Sequence, residues 1–110
     1  MARTKFQTLT EQMFYILLCM REECCGMELM DKVRQITNDR IEIGAGTMYT
    51  LLGDFEKAGM IRETAVEGRK RSYVITEKGR KMLEKEYQRI CLQVKDYEQC
   101  MGGIQDEKKS

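Results

Sequence analysis

Six apolar residues near the C-terminal end of this 110-residue chain limit its architecture more than any other feature. Leu83, Tyr87, Ile90, Val94, Tyr97 and Met101 recur with spacings of four, three, four, three and four, the a/d seam of a coiled coil. A single helix over 77–101 would run about 37 Å at 1.5 Å per residue. A compact unit built from the first 75 residues has a radius of gyration of only about 11 Å. The helix must therefore project, and its apolar stripe needs a partner. A second copy of the same chain is the economical partner. The competing arrangement folds the stripe back onto the first helix of its own chain.

The rest of the chain reads as a short series of elements without any proline. Thr8, with Glu11 three positions on, has the form of a capping box opening a first helix. Leu9, Met13, Ile16, Leu17 and Met20 fall on one face of it, widened by Phe14 and Leu18. Gly26 is its expected stop. A second helix is expected over about 27–37, with Leu29, Met30, Val33 and Ile36 inward and Asn38-Asp39 as turn formers. Ile41-Glu42-Ile43 alternates with period two and reads as a small strand.

A third helix follows Gly44-Ala45-Gly46, burying Met48, Leu51, Leu52 and Phe55. Its opposite side is small and polar: Gly46, Thr50, Gly53, Asp54 and Lys57. Gly59 reads as a left-handed cap. Met60–Val66 and Ser72–Ile75 then read as the arms of a hairpin around Glu67-Gly68-Arg69-Lys70-Arg71. Thr76 caps the last helix, with Gly79 tolerated early. Gly102-Gly103 is the expected end, leaving 104–110 as a disordered tail.

Charge is local. The whole chain carries a formal +1, far from the strongly basic balance of a domain coated in nucleic-acid contacts. Residues 69–81 hold Arg69, Lys70, Arg71, Lys78, Arg80 and Lys81 against Glu77 alone. A slim polar helix face followed by a cationic hairpin tip suits the major groove and the phosphates beside it. The fold class is accordingly mainly α with a small β-hairpin: a winged helix-turn-helix over 1–76, with recognition helix 46–58 and wing 67–71, plus a C-terminal dimerisation helix over 77–103. Candidate DNA contacts are Tyr49, Thr50, Arg69, Lys70 and Arg71. Tyr49 lies at the border of the buried face, and Arg71, nearest the strand, has Glu63 and Glu67 as competing partners.

Other chemistry lacks its residues. There is no histidine, no nucleophile motif and no phosphate loop, so no catalytic role is expected. Five cysteines without a C-x-x-C provide no zinc set. They read as reduced thiols, with an oxidant-sensing Cys24-Cys25 pair as the alternative. No apolar run approaches the roughly 20 residues of a membrane span, and the charged start leads into no cleavable signal, so a cytoplasmic protein is expected. Nine methionines give a plastic interior, which leaves an unidentified small-molecule effector open. A rival reading treats the winged helix as scaffold, with the 83–101 stripe docking a different protein.

Gly44-Ala45-Gly46-Thr47-Met48-Tyr49-Thr50-Leu51-Leu52 with Ala58-Gly59-Met60-Ile61, Glu67-Gly68-Arg69-Lys70-Arg71-Ser72-Tyr73 and Val74-Ile75-Thr76-Glu77-Lys78-Gly79 resembles the PadR family of transcriptional regulators. The likeness covers residues 8–83. It implies a homodimeric winged-helix repressor on a pseudo-palindromic operator, with contacts at Thr47, Tyr49, Thr50, Gly68, Arg69 and Lys70. The chain departs from the family pattern at Ala45 and Thr50, where many members have proline. It also lacks the tryptophans between which some members stack planar ligands.

Overall fold

A computed structural model of the chain describes residues 8–109, with side chains as far as position 102. The elements are α1 (Glu11–Cys19), β1 (Cys24–Cys25), α2 (Gly26–Ile36), α3 (Ala45–Lys57), β2 (Ile61–Glu67), β3 (Lys70–Ile75) and α4 (Glu77–Lys109). β3 is the centre of an antiparallel sheet ordered β1-β3-β2.

α1 starts two residues later than its apparent capping box. Thr10, not Thr8, is the N-cap, and its hydroxyl accepts the Met13 N–H at 3.2 Å. Leu9 must enter the core from just outside the helix, which it does at 5% exposure, so the cap falls on the following residue. Gly26 is the first residue of α2 rather than the stop of α1. The intervening Cys24 and Cys25 form β1, paired with Tyr73 and Ser72. This two-residue strand takes the sheet edge that the Ile41–Ile43 alternation suggested for itself. Ile41–Ile43 is instead an extended connector anchored by the buried Ile43.

The turn between α2 and α3 is built by Thr37. It is 1% exposed, donates to the Val33 carbonyl at 2.8 Å and accepts the Ile41 N–H at 3.1 Å. Asn38 and Asp39 take positive φ values of 52° and 62°, as turn formers do. Ile36 is exposed rather than inward, because α2 ends there as the chain turns.

The core is one cluster drawn from every element but the tip of the hairpin. Ile16, Leu17 and Met20 meet Leu29 and Val33 of α2, Met48, Leu52 and Phe55 of α3, and Ile61, Tyr73 and Ile75 of the sheet. Gly59 closes α3 with φ 78°, and Thr76 donates to its carbonyl at 2.6 Å. Thr76 then caps α4 through the Gly79 N–H at 3.1 Å. Gly79 is required rather than tolerated: a Cβ there would lie 2.2 Å from the Met60 carbonyl oxygen and 2.7 Å from Ile75 Cγ1. Its lack of a side chain lets α4 leave the sheet in close contact with the α3–β2 turn.

α4 does project. The molecule measures 65 × 38 × 21 Å, and α4 continues through Gly102 and Gly103 to Lys109 instead of ending at the glycines. The residues that follow them, Gln105 to Lys109, are mostly good helix formers, so a glycine pair lowers helix propensity without supplying a stop. The backbone over 104–109 is thus helical where a disordered tail was expected, and Ser110 lies outside the described residues.

Candidate nucleic-acid interface

α3 divides cleanly into two faces. Met48, Leu52 and Phe55 are at most 2% exposed, and Leu51 is half-buried against the core. Gly46, Thr47, Tyr49 and Thr50 face outward, Tyr49 at 56% exposure. Gly26 is what lets α2 approach this helix: a Cβ on it would lie 2.8 Å from Met48 Cε and 3.1 Å from Tyr49 Cε1. The hydroxyl end of the Tyr49 ring therefore rests on the start of α2, while the residue as a whole stays more than half exposed.

The hairpin extends further toward its tip than the sequence suggested. β2 reaches Glu67 and β3 begins at Lys70, leaving Gly68 and Arg69 alone in the turn, with Gly68 at φ 62°. Gly68, Arg69, Lys70 and Arg71 are all exposed. They are not equivalent. Arg71 Nε lies 3.5 Å from Glu63 Oε2 on the facing strand. Its guanidinium is held above its ordinary pKa first by a hydrogen bond with Tyr73 and then by that carboxylate. Arg69 and Lys70 make no ion pair among the described residues.

Recognition helix and wing share one groove of about 760 Å³. Tyr49 and Gly53 contribute from α3, Gly26, Met27 and Glu28 from α2, and Arg69, Lys70, Arg71 and Tyr73 from the wing. Gly53 has nothing within 4 Å of where a Cβ would stand, so its place mid-helix reflects open space at the groove rather than tight packing. Two acids, Glu28 and Glu56, stand within this basic rim, and Glu28 is committed to capping. Its carboxylate accepts the Cys25 N–H at 3.0 Å, and that bond is the main cause of its lowered pKa. Nothing local in the sequence marks Gly26 or Glu28 as part of this face. Cys25-x-x-Glu28 is a box-like spacing with a thiol where Ser or Thr usually stands, which hides the signal.

Two of the buried thiols, behind the sheet edge and α1, have little nucleophilic character. Burial pushes Cys24 up to about 11 and Cys19 above its ordinary value, so both are protonated at neutral pH. Among the described residues no helix is long and apolar enough to cross a membrane.

Most of the α4 stripe is uncovered. Leu83 packs at the edge of the core and Ile90 is half-buried, but Tyr87, Val94 and Tyr97 are about half or more exposed, and Met101 is 37% exposed. The stripe is divided: its first half, Leu83, Tyr87 and Ile90, lies along α1, anchored by Glu86, which is 2% exposed and accepts the Leu9 N–H at 3.3 Å, whereas Val94, Tyr97 and Met101 are not covered by α1 among the described residues.

Comparison with known proteins decides the family. The family model described as "Transcriptional regulator PadR-like family" matches residues 16–85, well over half of the chain. The chain belongs to the PadR-like family of transcriptional regulators. Its fold is that of solved members. A PadR-like transcriptional regulator from Bacillus cereus superimposes with a TM-score of 0.68 at 24% identity, covering 82% of this chain and 90% of that one. A PadR family transcription regulator from Clostridium difficile R20291 gives 0.67 at 22% identity, over 81% and 97%. RosR from H. salinarum gives 0.67 at 17% identity, over 92% and 94%. No functionally curated protein matches the chain significantly in sequence. PadR-like proteins are DNA-binding regulators and not a family of enzymes, and in this PadR-like chain the winged helix-turn-helix is formed by α2, α3 and the β2–β3 hairpin.

Proposed function

We propose that two copies of the chain bind a pseudo-palindromic operator and repress transcription from it. Residues 1–76 serve as the DNA-binding unit and the helix from 77 to 103 as the dimerisation element, joined along Leu83, Tyr87, Ile90, Val94, Tyr97 and Met101. Thr47, Tyr49 and Thr50 read base edges in the major groove, while Gly68, Arg69, Lys70 and Arg71 hold the adjacent backbone.

One observation carries this reading: Tyr49 and Gly53 of α3 and the cations of the wing border the same groove, and Thr47 and Thr50 lie exposed on the same helix beside it. A duplex laid across that groove meets slim polar side chains and free positive charge together, with Met48, Leu52 and Phe55 locking the helix from behind. Repression follows physically from occupancy, since a dimer spanning two half-sites excludes other proteins from that stretch. Selection of bound sequences from a random DNA pool tests the proposal. The expected product is an inverted repeat with half-sites about 34–36 Å apart or a multiple of that. Enrichment of unrelated or single-copy sequences, or none, overturns it.

A further inference from the structure

We infer that Glu63 is a built-in brake on the wing: its carboxylate competes with DNA phosphate for Arg71 and so sets how tightly the wing holds any duplex. This rests on the DNA-binding reading above and adds to it a residue that need not touch DNA. A cation strengthens binding to the backbone only as far as its charge is not already neutralised within its own chain.

The competition is built into the hairpin. Glu63 pairs with Tyr73 on the facing strand, and Arg71 lies two residues nearer the tip, on the same side of β3 as Tyr73. Arg71 is thus diagonal to Glu63, within reach of a long side chain, and its Nε comes to 3.5 Å from Glu63 Oε2. The register shifts between Glu63 and Ala65, leaving Thr64 as the extra residue of a bulge. Thr64 donates its hydroxyl to Glu23, just ahead of β1, so the strand beside Glu63 is tied down from outside the hairpin. A hydrogen bond with Tyr73 and the charge of Glu56 on α3 add to the hold on Arg71. Glu63 Oε2 is buried and accepts no hydrogen bond, and Arg71 is the one cation in ion-pair contact with it among the described residues. Arg69 and Lys70 make no ion pair among those residues. The wing therefore presents two cations outright and keeps a third in reserve.

The reserve can be drawn on. Arg71 is 62% exposed and Glu63 32%, and an ion pair at that exposure is weak enough for a phosphate to displace. Displacement is opposed, because it leaves the buried Glu63 Oε2 without its counter-charge as a second anion approaches. Arg71 is thus withheld for part of the time on every duplex. Phosphate contacts carry no sequence information, so the brake lowers affinity without altering preference.

Glu63→Gln and Glu63→Ala release it. The first removes the charge at constant shape, and the second leaves Arg71 nothing at that position to hold. Anisotropy titrations at several salt concentrations, on the selected operator and on a random duplex of equal length, read the effect. Both variants should steepen the slope of log affinity against log salt by up to about 0.9, and tighten binding by up to about fivefold at about 0.15 M salt, the share of one phosphate contact. The gain should be similar on the two duplexes. Made on Arg71→Ala, the same changes should gain much less. Equal gains with and without Arg71 would reduce Glu63 to simple repulsion of DNA and overturn the brake, as would no gain, or a gain confined to the operator. A parent protein that binds neither duplex overturns the DNA-binding reading itself, and the brake with it.

Discussion

Glu86 on α4 accepts the backbone N–H of Leu9, 77 residues earlier in the chain, and is itself gripped by Arg89 one turn on. This buried carboxylate fixes the start of α1 against the base of the projecting helix. Its replacement by alanine strands the Leu9 N–H in a site closed to water, which costs about 1–3 kcal/mol. Urea unfolding of Glu86→Ala should show a lower midpoint with unchanged slope. An unaltered midpoint would mean that the clamp contributes nothing to holding α1 in place.

The same carboxylate sets a pH dependence. The hydrogen bond from Arg89, followed by that from Leu9, holds the folded pKa of Glu86 below its ordinary value. A depressed acid adds stability that is fully present above its unfolded pKa, about 4.3, and is lost as pH falls through the folded value. Between pH 6 and pH 3 the protein should therefore lose more stability than Glu86→Gln does. Urea midpoints of both proteins across that range make the comparison, and parallel curves would refute it.

Two helical glycines, Gly79 in the first turn of α4 and Gly53 in the middle of α3, should respond oppositely to alanine. At Gly79 the new methyl meets the Met60 carbonyl oxygen, a backbone atom that has nowhere to go, and overpacking of this kind costs about 1–3 kcal/mol. At Gly53 nothing stands within 4 Å, so the gain in helix propensity, about 1 kcal/mol, is unopposed. Thermal unfolding should show Gly79→Ala below and Gly53→Ala above the parent. If Gly53→Ala also weakens operator binding, the groove beside it is where DNA approaches.

Much of the fold was legible because its signals are local. The i, i+3, i+4, i+7 spacing of Met48, Leu51, Leu52 and Phe55 marked α3, and Gly59 and Gly68 marked turns that do require positive φ. What escaped depends on partners remote in sequence. Cys24-Cys25 is a strand only because Tyr73 and Ser72 lie beside it. Gly79 looks like a tolerated helix residue until Met60 is brought against it. Glu86 resembles any surface acid of an amphipathic helix, since its burial comes from the segment around Leu9. At the candidate interface, residue types and order were readable. The groove itself was not, because its third wall is the start of α2, held close by a glycine read as a helix stop.

The three wing cations should contribute unequally to DNA binding. Arg69 stands in the turn without an ion pair among the described residues, whereas Arg71 already faces Glu63 at 3.5 Å. A cation that neutralises one phosphate adds about 0.9 to the slope of log affinity against log salt. Arg69→Ala should reduce that slope by about 0.9 on the selected operator. Arg71→Ala should reduce it less, because an arginine shared with a carboxylate releases fewer counterions. Anisotropy titrations at several salt concentrations read both slopes, and equal losses would show that Glu63 does not weaken the Arg71 contact.

Val94→Glu isolates the dimer from the fold. Val94 is 49% exposed in the single chain and lies beyond the stretch of α4 that meets α1, so the core loses no contact when it changes. In a paired stripe the new carboxylate would instead be forced between apolar side chains, where an unpaired charge is strongly disfavoured. The variant should keep the helical content and urea midpoint expected of a folded monomer, sediment as one chain and bind a single half-site no worse than the parent monomer does. Its affinity for the full operator should collapse toward that single-site value, since the second half-site is held only by linkage through the first. A variant that still sediments as a dimer would show that the copies meet elsewhere, and one that unfolds would show that the stripe belongs to the core of its own chain after all.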